Sequence, residues 1–185
     1  MKKAHILILA FLVVTFHSKA QQTIAFNDAI SINIPKNAEK LTKQQALDHA
    51  SKKFKENDIV NNSITRRSTE HIYRIDDVLI SLFFSDEHNG KKIINEEHLL
   101  ELKKGFDGIY RLNNNDKSYS SVIKRINNNS VLITNYVVKN VEYYRFFSIS
   151  NNSRAVTGIL EFNVSDEDKA KTILDDLLKS IKIKD

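Results

Sequence analysis

Two histidines and several carboxylates lie close together in the stretch SDEHNGKKIINEEHLLELKKGF, residues 85–106. Imidazole nitrogens and carboxylate oxygens bind zinc and other divalent metals, and they also act as general acids and bases. On a helix, His98 and Glu101 have the i, i+3 spacing that lets two side chains share one ligand. His88 would have to fold back toward them as a third ligand. The stretch therefore contains a candidate metal site formed by His88, His98 and Glu101.

The same stretch is also explained by an ordinary helix. Asn95 suits the N-cap, and Glu96 and Glu97 fall in the first turn, where the helix dipole stabilises carboxylates. Apolar side chains recur at helical spacing, so we expect an inward-facing stripe formed by Leu99, Leu102, Phe106 and Ile109. The order of residues also differs from the His-Glu-x-x-His pattern of zinc hydrolases. The helix is the preferred interpretation, and it needs no cofactor.

The aromatic run YYRFF, which begins at Tyr143, is a second candidate site. Tyrosine combines an apolar ring with a polar tip, so the run could line a ligand pocket. The residues placed to contact a ligand are Tyr143, Tyr144, Arg145 and Phe147. Successive side chains of a strand alternate between its faces, so we expect Tyr144 and Phe146 on one face and Tyr143 and Phe147 on the other. Such a run is also typical of strand core.

Motifs of common catalytic sites are missing from the sequence. There is no cysteine, which rules out disulfides, thiolate zinc sites and cysteine nucleophiles. There is no Gly-x-Ser-x-Gly elbow, and the four glycines form no phosphate-binding loop. No residue is assigned a catalytic role, and we expect a protein that is not an enzyme.

The N-terminus has the three parts of a secretory signal peptide. Lys2 and Lys3 form a cationic tip, residues 6–16 are apolar, and small residues precede a cleavage site expected between Ala20 and Gln21. The apolar part is shorter than the roughly 20 residues of a membrane-spanning helix. We therefore expect an exported chain, periplasmic or extracellular, with no membrane span after cleavage.

Length and charge limit the remaining possibilities. Residues 1–20 are the expected signal peptide, and residues 21–185 are long enough for one globular domain. Loss of Lys2, Lys3 and Lys19 lowers the formal net charge from +5 to +2. A chain so close to neutral, without clustered basic residues, lacks the features of a nucleic-acid-binding protein. Its many Asn, Lys and Ile residues, which have AT-rich codons, indicate a bacterial genome.

Strand patterns dominate the rest of the chain. The run TIAFNDAISINIP alternates apolar and polar residues and predicts a strand that ends at Pro35. Short polar links separate four later runs, which predicts an antiparallel meander of SYSSVIKRI, VLITNYVV, VEYYRFFSI and AVTGILEFNV. Several runs are apolar on both faces, so helices should cover both sides of the sheet. The expected fold class is α+β, an antiparallel-dominated sheet in an α/β/α sandwich.

Two further helices have sequence signals at their ends. Thr42 and Gln45 fit a capping box at the start of LTKQQALDHASKKF. In the last segment, SDEDKAKTILDDLLKSIKIKD, we expect Ser165 to be the N-cap and residues 166–168 to meet the positive end of the dipole. This C-terminal helix is amphipathic, with an apolar face formed by Ala170, Ile173, Leu174, Leu177, Leu178 and Ile181.

The order of these elements resembles the PsbP-like fold. The matching pieces are ISINIP, VLISLFF, the meander, and above all GILEFNVSDEDKAKTILDDLLKSIKI, in which a closing strand runs into an amphipathic helix. That fold includes the extrinsic P subunit of photosystem II, a Ran-binding nuclear-import factor and many exported bacterial proteins. The resemblance implies a binding or assembly role and supplies no catalytic residues, because function resides in sites added to folds.

Three functions follow as expectations. The first is an exported, non-enzymatic binding or assembly module of the bacterial cell envelope that contacts a protein or a small ligand. The second is a metal-dependent enzyme that uses His88, His98 and Glu101. The third is a toxin-neutralising, immunity-type envelope protein.

Overall fold

In the computed structural model, the chain forms ten strands and three helices within the described residues, which are 21–54, 69–86, 95–113, 119–138, 140–150 and 154–184. The expected signal peptide, residues 1–20, and the candidate ligand His88 lie outside these ranges. Within them, no helix has the length and apolar character needed to cross a membrane.

The larger sheet has seven strands in the order β3-β4-β5-β9-β8-β7-β6, and every neighbouring pair is antiparallel. Its strands are β3 (Glu39–Leu41), β4 (His71–Ile75), β5 (Val78–Asp86), β6 (Ser120–Ile126), β7 (Asn129–Val138), β8 (Val141–Ile149) and β9 (Arg154–Asn163). Strands β6 to β9 pair in chain order, which confirms the predicted meander.

Tight hairpins fix the register of this sheet. Asn127 and Asn128 have φ values of 49° and 67° between β6 and β7. Positive φ at both central residues defines the type I′ turn, which asparagine tolerates and which matches the twist of paired strands. Asp76, with φ of 52°, begins the turn between β4 and β5. Val138 pairs with Val141, so β7 and β8 are joined by only two residues.

A second sheet has three strands, two from the start of the described chain and one from its end. Its strands are β1 (Gln21–Ala25), β2 (Ile30–Pro35) and β10 (Lys182–Ile183). The run TIAFNDAISINIP thus spans two paired strands where one was predicted. The reason is a local turn, in which Asn27 Oδ1 accepts the N–H groups of Ala29 and Ile30 at 2.9 and 2.8 Å. As predicted, β2 buries the side chains of Ile30, Ile32 and Ile34.

The C-terminal helix, α3 (Glu167–Ser180), covers one face of the large sheet together with β1 and β2. Its apolar face is buried as predicted, with Ala170, Ile173, Leu174, Leu177 and Leu178 inside. The prediction that Ser165 caps the helix is wrong. Ser165 lies within a 3-10 turn (Val164–Asp166), so the helix begins at Glu167 with Asp166 as its N-cap, one residue later than predicted.

The other face of the large sheet is covered by two helices, which confirms the predicted sandwich. Helix α1 (Lys43–Lys53) begins with the predicted capping box. The Gln45 N–H donates to Thr42 Oγ1 at 3.2 Å, and the Thr42 N–H donates to Gln45 Oε1 at 2.8 Å. The α1 side chains pack against strands β4, β5 and β9.

Helix α2 (Glu96–Asn113) packs beside α1 on the same face. Asn95 Oδ1 accepts the His98 N–H at 3.0 Å, as expected of the N-cap. Leu99 is fully buried, but the predicted inward position of Ile109 is wrong, because 56 % of this residue is exposed. Tyr110 takes the inward position instead, and its ring stacks on Tyr136 at 4.4 Å between centroids.

Candidate functional site

The aromatic run lies on β8 and divides between the two faces of the large sheet. Tyr144 and Phe146 pack in the core beneath α3, whereas Tyr143 and Phe147 pack in the clusters beneath α1 and α2. The predicted alternation is confirmed. Arg145 projects to the same face as Tyr143, so three of the four sequence candidates share one face.

Tyr144 is separated from the other three candidates by the sheet. Its ring stacks on Phe162 at 5.2 Å, and its hydroxyl lies 3.4 Å from Glu167 Oε1 at the start of α3. Burial, followed by the negative charge of Glu167, raises the pKa of Tyr144. The first contact joins β8 to β9, and the second joins β8 to α3.

Arg145 is held between aromatic rings of α2 and β7. Its guanidinium carbon lies 5.3 Å from the centroid of the Phe106 ring and 5.9 Å from that of Tyr136. Phe106 also packs against Phe147, with 5.8 Å between centroids. Cation-π contacts of this kind stabilise a charge that leaves water. Phe106 therefore connects the β8 candidates to α2.

Four tyrosines form a continuous stack across this face. The distances between centroids are 5.4 Å from Tyr119 to Tyr110, 4.4 Å from Tyr110 to Tyr136, and 4.9 Å from Tyr136 to Tyr143. Tyr143 pairs in register with Glu161, and both are buried. Burial, together with the charge of Glu161, raises the pKa of Tyr143. Its phenol stays protonated at neutral pH, which suits packing and disfavours a role as a base.

Asp107 anchors the other flank of α2 to β6. Its carboxylate accepts hydrogen bonds from Lys103 Nζ at 2.6 Å, Tyr119 Oη at 2.8 Å and Ser121 Oγ at 2.6 Å. Burial opposes ionisation of this carboxyl, but the three hydrogen bonds outweigh it and lower the pKa of Asp107 to about 2. A carboxylate held this way is not available as a general acid at neutral pH.

The proposed metal ligands come together only in part. His98 Nδ1 lies 3.9 Å from Glu101 Oε2, so the two side chains are neighbours but lie beyond hydrogen-bond reach. The His98 side chain is 19 % exposed and that of Glu101 is 69 % exposed. Within the described residues, no three metal-binding side chains converge. His88, the third candidate ligand, lies outside those residues.

An open apolar pocket on α2 lies next to both candidate sets. This α2 pocket has a volume of about 320 Å³ and is lined by His98, Glu101, Leu102, Gly105, Phe106 and Ile109. The lining residues follow one flank of the helix, opposite the flank whose Lys103 and Asp107 face β6. Phe106 belongs both to the pocket and to the Arg145 contact, so the two candidate sets meet at this residue.

Sequence reasoning missed the pocket, although one signal pointed to it. Gly105 and Gly108 lie in the interior of α2, where glycine weakens a helix relative to alanine. A Cβ atom at either position would have no neighbouring atom within 4 Å. Gly105 therefore contributes open space to the pocket, and the signal available in the sequence was a glycine in the interior of a helical pattern.

Among the described residues, two cavities larger than the α2 pocket are lined by none of the sequence candidates. One, of about 860 Å³, is bordered by the start of α1 and the ends of β4 and β5. The other, of about 520 Å³, lies between α3 and the β4-β5 turn, where Lys169 Nζ and Asp76 Oδ2 form an ion pair at 3.1 Å. The α2 pocket is therefore of interest because it lies next to the sequence candidates and not because of its size.

Comparison with known proteins gives a likeness of structure without a likeness of sequence. No family model matches the chain, and no curated protein matches it. Among solved structures, the chain is similar to cyanobacterial PsbP (CyanoP) from Synechocystis sp. PCC 6803, with a TM-score of 0.50 and 10 % identity, over 91 % of this chain and 95 % of that one. It also matches the Ran-binding protein Mog1p of Saccharomyces cerevisiae with a TM-score of 0.46 and 10 % identity, over 91 % and 97 %. The chain has the PsbP-like α+β fold that its sequence resembles.

Proposed function

We propose that the chain is an exported, non-enzymatic binding module of the bacterial cell envelope, and that the α2 pocket receives an apolar side chain of a protein partner. The observation that carries this proposal is the exposed apolar flank of α2. Ile109 is 56 % exposed at the rim of a pocket whose other apolar walls are Leu102 and Phe106. Apolar surface left open beside a pocket is typical of interaction sites.

The form of the pocket favours a protein over a small ligand. Sites for small molecules enclose most of the ligand and typically have about 300–1,000 Å³ of space. The α2 pocket, at about 320 Å³, is at the small end of that range and opens along a helix. It has room for one apolar side chain of a partner. Glu101, whose side chain is 69 % exposed at the rim, favours a basic residue next to that side chain.

The chemistry of the neighbouring groups supports binding over catalysis. Asp107 is committed to three hydrogen bonds, and Tyr143 is buried in the aromatic stack. The 3.9 Å between His98 and Glu101 is too long for a direct proton transfer. Export of the module rests on the N-terminal sequence, Lys2 to Ala20, which has the signal-peptide pattern.

Site-specific photocrosslinking in the producing cells tests the proposal. A photoreactive amino acid at position 109 should yield one reproducible adduct with an envelope protein. The same amino acid at position 104, an exposed lysine elsewhere on α2, should not yield that adduct and serves as the matched control. Equal labelling from both positions, or none from position 109, would contradict a partner bound in the α2 pocket.

The second candidate, a metal-dependent enzyme, is favoured by a single observation. His98 Nδ1 is buried, has no hydrogen-bond partner in the described part of the chain, and lies 3.9 Å from Glu101. If His88 completes a site, zinc should raise the melting temperature of the chain, and the effect should disappear in His98→Ala and His88→Ala. The chain should also be purified without chelator and analysed for metal. If it contains no stoichiometric metal and zinc does not change its melting temperature, the metal-dependent enzyme is excluded.

A further inference from the structure

Strand β6 forms one edge of the large sheet and is regular over its full length. All seven residues from Ser120 to Ile126 pair with β7 without a bulge. Within the described residues, no strand pairs with the outer side of β6. The opposite edge strand, β3, has only three residues. A regular edge of this length is a template on which another extended chain can add.

The register shows which backbone groups this edge presents. A two-residue hairpin is closed by a hydrogen-bonded pair, here Ile126 and Asn129, and such pairs alternate with non-hydrogen-bonded pairs along an antiparallel ladder. The N–H groups of Val122 and Lys124 therefore point toward β7. Those of Ser121, Ile123 and Arg125 point away from the sheet.

The side chains of β6 give this edge a positive charge and some apolar surface. Lys124 and Arg125 are exposed, and neither forms an ion pair with any residue that the structure describes. They alternate between the two faces of the sheet. Val122 is 41 % exposed, and Ile123 is half-buried against α2.

We propose that the outer edge of β6 binds an extended, acidic segment of a partner protein as an additional strand of the large sheet. The outward N–H and C=O groups of Ser121, Ile123 and Arg125 supply the ladder. Lys124 and Arg125 select acidic side chains on both faces of the added strand, and Val122 favours an apolar one. This edge lies on the opposite flank of α2 from the α2 pocket, so the inference does not depend on that pocket.

Charge disfavours a second copy of the chain as the added strand. Two β6 strands paired antiparallel about Ile123 would place the Lys124 side chains of the two copies diagonally across the strand pair, on the same face of the sheet. These two lysine charges repel each other, because side chains diagonal across a strand pair lie about 7–8 Å apart. An acidic segment instead replaces this repulsion with attraction.

Amide hydrogen exchange in the purified chain tests strand addition directly. The probe is a labelled synthetic peptide in which adjacent Glu and Asp residues, which place an acid on each face of the added strand, are flanked by Val. A peptide with Lys in place of the acids is the control. The acidic peptide should slow exchange of the Ser121, Ile123 and Arg125 amides at least about tenfold, as expected of new hydrogen bonds, and leave Val122 and Lys124 unchanged. The Lys peptide should have no effect.

Two variants separate strand addition from other modes of binding. Arg125→Pro removes an outward N–H without touching the β7 ladder, and it should weaken peptide binding about tenfold or more, since one hydrogen bond is worth about 1 kcal/mol and one charge contact is also lost. The double variant Lys124→Glu with Arg125→Glu leaves the backbone N–H groups in place and reverses both charges, so it should abolish binding of the acidic peptide. It serves as the test if the proline variant does not fold. Absence of peptide binding at millimolar concentration, binding that both variants retain, or protection of these amides by self-association without peptide would each overturn the proposal.

Discussion

Arg145 and Asp107 show how charged side chains are accommodated on the helix-covered face of a sheet. The guanidinium lies against the rings of Phe106 and Tyr136, and the carboxylate accepts three hydrogen bonds. A buried charge is tolerated only when such partners replace water. These residues therefore stabilise the position of α2 over β6 to β8, and the surface that we propose for binding is the apolar flank of that helix.

The three hydrogen bonds to Asp107 predict a stability that depends on pH. The pKa of Asp107 is lowered from 3.8 to about 2, so its contribution is present at neutral pH and is lost as the pH falls through that interval. Asp107→Asn should lower the free energy of unfolding at pH 7 by about 1–3 kcal/mol, the usual cost of losing hydrogen bonds to a charge. The difference from the unmodified chain should shrink toward pH 2 in urea titrations. Glu101→Gln, at an exposed position, is the control, and a constant difference at every pH would contradict the assignment.

Individual residues could be predicted where the signal is local. The Asn95 cap, the Thr42-Gln45 capping box and the alternation of Tyr143 and Tyr144 depend only on neighbours in sequence. Ile109 was misplaced because Tyr110 turns inward to stack on Tyr136, which is a contact between helix α2 and a strand distant in sequence. The Arg145 contact with Phe106 could not be predicted for the same reason.

At the scale of elements, the pairing of β8 with β9 depends on a glycine. Gly158 lies opposite Phe146, and a Cβ atom at this position would be 2.1 Å from Phe146 Cε1. The Phe146 ring is fully buried, so moving it aside would displace its neighbours in the core. This close approach explains a glycine in the interior of a central strand, where the residue otherwise weakens the sheet.

Gly158→Ala should lower the free energy of unfolding by about 1–3 kcal/mol, because overpacking a tight core forces shifts in side chains and backbone. Gly108→Ala is the matched control, since a Cβ there meets no atom within 4 Å. In the helix interior it should raise stability by about 0.5–1 kcal/mol. Chemical denaturation of both variants measures the two effects, and a neutral Gly158→Ala would show that Phe146 can repack.

Hairpins were predictable because their signals are short-range, as with the asparagines before β7 and the two residues between β7 and β8. The second sheet was not predictable, because β2 pairs with β10 from the other end of the chain. Helix α3 starts later than predicted because Ser165 belongs to a 3-10 turn. The acidic residues that follow Ser165 in the sequence do not distinguish this turn from the first turn of an α-helix.

In the whole molecule, the two sheets and three helices enclose apolar layers on both faces of the large sheet. Ser180 joins the end of α3 to the small sheet, because its hydroxyl accepts the Asn33 N–H at 3.0 Å and lies 3.1 Å from the Asn33 carbonyl. The first described strand begins at Gln21, whose side chain accepts a hydrogen bond from Asn33 Nδ2 at 3.2 Å.

Export predicts a specific mature N-terminus. Mass spectrometry of the chain from the envelope or culture fraction should find Gln21 as its first residue, because the small residue Ala20 ends the signal pattern. Ala20→Leu replaces that small residue and should leave the precursor uncleaved, whereas Lys19→Gln should be processed. An intact Met1 in an exported chain, or a chain confined to the cytosol, would contradict export by a cleaved signal.

The claim that the α2 pocket binds a protein partner is tested most directly by filling the pocket. Gly105→Leu and Gly108→Leu each add the same side chain to α2 at a position with open space, but only Gly105 lines the pocket. The measurement is the dissociation constant of each variant for the protein captured through position 109. We predict that Gly105→Leu weakens binding about tenfold or more, equivalent to about 1.4 kcal/mol, and that Gly108→Leu leaves it unchanged. Equal affinities of the two variants would contradict the account.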